Sequence, residues 1–214
     1  MEGCGEVNQL NQKSIRTMKA KIFLFLLIGL LTTASFAQND KAEIKKTAEA
    51  FFNLIQQKKY DKMLDYFYPK IFEEFPKEEL LKNMKEIQTD SAFTFSIENS
   101  RIENISEIVE VKGIKYALLT YSYKMSLVFT TQKNATKEEK ELFNQIIMQG
   151  ISQQEHGIDN VKYDEKSGKI IIVDTDQKFA INDPQYKGWK FLDITPDKES
   201  LKKYIPEEVI KELY

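Results

Sequence analysis

Residues 115–131 constrain the fold of this chain more than any other segment. Ala117, Leu119, Tyr121, Tyr123, Met125, Leu127 and Phe129 alternate with Thr120, Ser122, Lys124, Ser126 and Thr130. A period of two puts the first set on one face of a β-strand and the second on the other. One buried and one more polar face is the pattern of an antiparallel sheet. The length of the run predicts a bent or coiled sheet.

The segments before it have the helical period instead. Residues 40–57 carry Ile44, Ala48, Phe51 and Ile55 at helical spacing, widened by Phe52 and Leu54, and Asp40 with Glu43 reads as a capping pair. A shorter helix is predicted over 60–68, with Met63, Leu64 and Phe67 inward and Pro69 ending it. Phe75-Pro76 opens a third, with Leu80, Met84 and Ile87 inward. Strands follow around Phe93, Phe95 and Ile97 and over 108–111, with Lys112-Gly113 as a turn.

After the long strand, Thr136 and Glu139 form a capping pattern for a helix over 137–149, with Leu142, Phe143, Ile146 and Ile147 inward and Gly150 as its stop. Residues 158–163 and 169–174 flank a turn at 164–168, and 178–182 continue the sheet. Asp174-Thr175-Asp176 reads as a strand-end turn, since it lacks the glycine and glutamate that a calcium loop needs further on. A last strand covers 189–194, and a helical tail after Pro196 breaks at Ile205-Pro206. The predicted fold class is α+β: N-terminal helices packed on a curved antiparallel sheet, with an inserted helix and a helical C-terminal tail.

The N-terminus reads differently. Lys19 and Lys21 precede an apolar run from Ile22 to Leu31, and Ser35-Phe36-Ala37 offers small residues before Gln38. That is the three-part pattern of a signal peptide, and the run is shorter than the ~20 residues of a spanning helix. The expected organisation is 1–17 as an over-extended start, 18–37 as signal peptide and 38–214 as one domain, secreted or periplasmic, with no membrane attachment after cleavage. No cysteine at the cleavage point excludes bacterial lipid attachment there; Cys4, the only cysteine, precedes it. Of 31 basic and 33 acidic side chains, residues 1–37 hold four and two, so the remainder carries 27 and 31, a net charge of −4. That balance, with Arg101 as the sole remaining arginine, excludes nucleic acid as a partner.

Chemical motifs are sparse. His156, the one histidine, sits in a polar loop beside Gly157. One histidine and no cysteine in the mature part exclude a zinc site. No phosphate loop or nucleophile elbow is present. Asn104-Ile105-Ser106 and Asn134-Ala135-Thr136 match the glycosylation sequon, which has meaning only in a eukaryotic secretory route. No cofactor, metal or catalytic residue is expected. The 14 Phe and 10 Tyr suit either a filled core or a cavity for an apolar ligand.

Three local features carry a resemblance. They are Lys58-Lys59-Tyr60-Asp61-Lys62-Met63-Leu64-Asp65 after the first helix, the long strand through Tyr121 and Tyr123, and Gly188-Trp189-Lys190-Phe191-Leu192-Asp193-Ile194. Over residues 42–195 the chain resembles the nuclear transport factor 2-like superfamily, of cystatin-like fold, as a bacterial secreted member. The resemblance implies a cone whose concave sheet packs on helices around a cavity, in a superfamily of isomerases, dehydratases and non-catalytic binding domains. The expected function is non-enzymatic binding of a small apolar ligand or a protein partner, lined by Tyr121, Tyr123, Met125 and Trp189. One alternative is an isomerase or dehydratase with a carboxylate base, for which Asp193 with Tyr121 or Tyr123 would serve. The other is an assembly module that forms a homodimer through its sheet.

Overall fold

A central pair of long antiparallel strands carries the fold of this chain, seen here in a computed structural model that describes residues 38–89, 92–130, 136–151, 158–194 and 198–214. The expected signal peptide at 18–37, the segment 1–17, His156, Asn134 and Pro196 lie outside the described residues. The chain divides into two units, residues 1–42 and 43–214, and the sheet lies in the second.

Helix α1 covers 38–56. Asp40 is therefore already inside a helix and does not cap one. Helix α2 is a single turn, Tyr60–Met63, continued by a 3-10 turn over Leu64–Tyr66. It stops there because Tyr68 precedes proline and takes an extended ψ of 117°. A second 3-10 segment, Pro69–Glu73, was not signalled by the pattern. Helix α3 spans Lys77–Thr89. The carbonyl of Pro76 accepts from Glu79 and Leu80, so Pro76 stands just outside the helix.

The sheet has six strands: β1 Phe93–Ile105, β2 Val109–Val111, β3 Ile114–Phe129, β4 Val161–Asp164, β5 Lys169–Asn182 and β6 Lys190–Asp193. Its order is β1-β3-β5-β4, with β2 also on β3 and β6 also on β5. All pairings between these strands are antiparallel. The β3–β5 ladder runs from Lys115 opposite Asn182 to Leu127 opposite Ile170. The turn at Lys112-Gly113 forms as predicted, with φ of 52° and 78°.

The expected curved, cone-forming sheet is not what forms. The sheet is open, with β1 and β2 along one edge and β4 and β6 along the other, and neither curls nor closes. The reason lies in how its faces are covered. Ala117, Leu119 and Tyr121 face α1 to α3 in a core that includes Phe51, Phe52, Met63 and Leu64. Tyr116 and Leu118 face the other way, into a core with Leu201, Ile205, Val209 and Ile210 of the C-terminal helices α5, Lys198–Leu201, and α6, Glu207–Leu213. A sheet buried on both faces by separate helices has no need to wrap one face around itself.

Helix α4, Lys137–Ile151, starts at the expected capping box: Thr136 N donates to Glu139 Oε2 at 2.8 Å and Glu139 N to Thr136 Oγ1 at 3.2 Å. It continues through Gly150, so that residue is no stop. Its buried face is only half the one expected: Phe143 and Ile147 pack inward, Leu142 and Ile146 do not. Phe143 meets the Phe129 ring, and Ile147, Met148 and Ile151 pack against Val161, Ile170 and Ile172. Leu142 and Ile146 are 60% and 59% exposed. In α3, Ile87 is likewise exposed, while Leu80 and Met84 pack inward.

Phe51 anchors the helix side, with ring centroids 5.4 Å from Phe191, 5.5 Å from Phe52 and 5.9 Å from Phe67. Truncating it removes a buried ring from several neighbours at once, so Phe51→Ala is expected to cost about 3–5 kcal/mol. Leu142→Ala and Ile146→Ala should each change stability by less than about 0.5 kcal/mol. Urea unfolding midpoints of the three variants check both statements; equal losses would refute this assignment of faces.

Candidate functional site

One row of side chains on the face of the sheet that α1 to α4 cover breaks the rule that such a face is apolar. Along β5, Ile170, Ile172, Asp174, Asp176, Lys178 and Ala180 share that face. The ladder sets Asp174 opposite Tyr123, Asp176 opposite Tyr121 and Lys178 opposite Leu119. Directly opposed side chains on one face lie within contact range.

Over the middle of this row is a cavity of about 300 Å³. Phe52 and Ile55 of α1 form one wall, and Tyr121, Tyr123 and Met125 of β3 form the floor with Asp176 and Lys178 of β5. Ile97 and Ser100 of β1 close a side. Ser100 is brought there by a bulge: the β1–β3 register shifts between Glu98 and Arg101, and Asn99 takes φ of 53°. Asparagine tolerates that left-handed conformation, and a bulge re-aims its neighbour.

Lys178 is 7% exposed. Its Nζ lies 5.7 Å from the Phe51 centroid and 5.4 Å from the Tyr121 centroid. It ion-pairs with Asp193, which is opposite it on β6 and whose side chain is 55% exposed. Burial pushes the ammonium pKa down to about 8, and the Asp176 charge opposes that shift.

Asp176 is held at both oxygens. Its Oδ1 accepts from the Gln177 amide at 2.7 Å and its Oδ2 from the Tyr121 hydroxyl at 3.1 Å. Burial first, then the neighbouring Asp176 carboxylate, raises the Tyr121 hydroxyl pKa above its ordinary value. That hydroxyl therefore remains a donor at neutral pH. The Tyr121 ring packs on Phe52 at 4.9 Å and on Tyr123 at 6.0 Å. The site thus joins apolar walls, a cation, a carboxylate and a hydroxyl donor.

Other hollows lie near it. A polar one, about 340 Å³, contains Lys45, Glu49 and Arg101 and shares Phe52 and Ser100 with the first. A more apolar one, about 230 Å³, lies between the Pro69–Glu73 turn and the C-terminal helices, with Phe67, Phe75, Phe191 and Leu201 in its walls. Glu74 pairs with Lys203 at 2.9 Å beside it. Asp193 lines this third hollow, so the Lys178–Asp193 pair stands between it and the first.

Of the residues expected to line a site, Tyr121, Tyr123 and Met125 come together in the first cavity. Trp189 does not join them. It is 2% exposed in the helix-side core, four residues before Asp193, roughly 13 Å along an extended chain. Its indole Nε1 is buried with no hydrogen-bond partner among the described residues. Asp193 is not a buried acid, and Asp176, the acid that lines the cavity, is exposed as well.

Asp176 and Lys178 were missed because Asp174-Thr175-Asp176 reads locally as a turn. The two faces of β5 do not show as alternation in the sequence, because residues 170–173 are all apolar and 174–178 all polar. Among the described residues, no three His, Cys, Asp or Glu side chains group as a metal site, and no helix is long and apolar enough to cross a membrane.

Comparison with known protein families, curated proteins and solved structures gave no match. With the sheet open, the expected resemblance to the nuclear transport factor 2-like superfamily, and with it the cystatin-like cone, is withdrawn.

The Lys178 shift has a consequence for stability. An ammonium whose folded pKa is depressed opposes folding while it is charged, below about pH 8. Between pH 8 and the ordinary lysine value near 10.5, the unfolded chain binds more protons, so stability rises with pH. Lys178→Met removes this penalty and leaves Asp193 largely in water. The variant should be at least as stable as the parent at pH 7, with an advantage of up to roughly 3 kcal/mol that shrinks toward pH 10. Paired urea titrations at the two pH values test it; an advantage that grows with pH would contradict it.

Proposed function

We propose that this protein binds a small, largely apolar ligand in the cavity between α1 and the β1–β3–β5 face. The observation that carries this reading is the convergence of Tyr121, Asp176 and Lys178 on a space otherwise walled by Phe52, Ile55, Tyr123 and Met125. Few polar groups set in an apolar hollow are what orient a ligand whose body is hydrophobic. At about 300 Å³ the space lies at the lower end of ligand pockets, which suits a compact molecule carrying one polar group. Tyr121 and Lys178 are placed to donate to that group, and Asp176 to accept from it.

Of the charges on this stripe only Lys178 is buried, Asp174 being half-buried and Asp176 exposed, and a chain that merely filled its core would not keep that lysine there. Each buried ionised group costs several kcal/mol unless well paired, and apolar replacement of buried pairs is often neutral or stabilising. Retaining Lys178 against that cost favours a role in binding. The carboxylate-base alternative would have to use Asp176, which lines the cavity but is itself exposed and already accepts from Tyr121 and the Gln177 amide.

Cinnamyl alcohol, a flat apolar molecule with one hydroxyl, serves as a probe. Saturation-transfer NMR on the full chain should detect it bound, and Tyr123→Ala should weaken it about tenfold, the loss of one aromatic wall. Since Tyr123 is only half-buried, the same variant should unfold only a few degrees earlier. Trp189→Ala, in contrast, should cost about 3–5 kcal/mol, as expected of a core residue. Binding unaffected by Tyr123→Ala would place the ligand elsewhere.

A further inference from the structure

We propose that Lys178 is a carbonyl-capture site, its side-chain amine condensing with an aldehyde or ketone ligand in the cavity to form an imine. This rests on the cavity being a ligand site and specifies the ligand's chemical class.

The geometry supports it in three ways. First, Lys178 forms part of the cavity wall, with its Nζ flanked by the Phe51 and Tyr121 rings in place of water. Second, the charges around it do not fully hold the ammonium. Asp193 on β6 pairs with it but is more than half in solvent, and Asp176 on β5 is shared with Tyr121 and the Gln177 amide. With a pKa near 8, about one amine in ten is neutral at pH 7. An ordinary lysine, with a pKa near 10.5, has about one in three thousand. Desolvation in an apolar pocket is a recognised way to make a lysine nucleophilic.

Third, a proton route lies beside the amine. The nitrogen lone pair forms the new C–N bond while the carbonyl π pair moves to oxygen. The two protons on nitrogen end on that oxygen, which leaves as water as the C=N bond forms. Neither oxidant nor reductant is needed. The Tyr121 hydroxyl can turn its one proton from Asp176, 3.1 Å away, to the departing oxygen, while Asp176 takes up the proton released from nitrogen and returns it to the tyrosine oxygen, so that both groups end unchanged. The surrounding apolar walls then shield the imine from hydrolysis.

The test uses the full chain at pH 7 with cinnamaldehyde and cyanoborohydride, which reduces any imine to a stable amine. Peptide mass mapping then measures the labelling rate at every lysine. Lys178 is expected to label at least about tenfold faster than any other lysine. Cinnamyl alcohol, which has the same skeleton without the carbonyl, should suppress labelling at Lys178 alone. Slow labelling of Lys178 while cinnamyl alcohol still binds overturns carbonyl capture and leaves the binding reading standing. Slow labelling with no binding removes both. Fast labelling that the alcohol does not suppress shows an amine reacting outside the cavity, and also overturns the proposal.

Discussion

The β3–β5 ladder is the interaction on which the rest of this structure depends. Thirteen successive residue pairs, from Lys115 opposite Asn182 to Leu127 opposite Ile170, lock two strands whose both faces are covered at one end. A slip of one residue would turn Ala117, Leu119 and Tyr121 toward the C-terminal helices and Tyr116 and Leu118 toward α1. Both cores would be lost together. β1 pairs with β3 along most of its length, whereas β2, β4 and β6 attach in three or four pairs each. β1 and β2 follow one another along β3, and β4 and β6 along β5.

The same register assembles the candidate site. It sets the Asp176 carboxylate opposite Tyr121, within reach of that hydroxyl, and Lys178 between Leu119 on one side and Asp193 on the other. The helix cores then determine how much water reaches these groups. Helices α1 to α3 pack over one end of the face and α4 over the other, through Ile147, Met148 and Ile151. The charged stretch of β5 falls between those two packed regions, and the cavity is the space they leave. Buried charge is a stability cost that a protein can carry where the site needs it. Here that cost is limited by one exposed counter-charge and two aromatic rings.

Much of the fold could be read locally. The alternation of β3, the Thr136–Glu139 capping box and the Lys112-Gly113 turn each rest on neighbours in sequence, and each forms. The misreadings share another cause. Leu142 and Ile146 have the same spacing as Phe143 and Ile147, and only the position of β4 and β5 beneath α4 decides which pair is buried. Gly150 ends no helix, because helical contacts continue through Ile151. Asp174-Thr175-Asp176 has turn chemistry, yet pairing with Tyr123, Ser122 and Tyr121 holds it extended. That Tyr121, Tyr123 and Met125 border one cavity was legible because they alternate on one strand. The place of Trp189 was not, since its distance from the others depends on where β6 pairs along β5.

By itself the sequence determined the α+β class, the helices-then-sheet order and the long amphipathic strand, because period and capping act between residues close in the chain. The open form of the sheet, the exposed face of α4 and the meeting of Tyr121, Asp176, Lys178 and Asp193 were decided only by tertiary structure. The physical reason is separation along the chain. Tyr121 and Asp176 are 55 residues apart and Lys178 and Asp193 are 15 apart, so no local propensity can encode their contact. It arises when strand register and two-sided burial are satisfied at once.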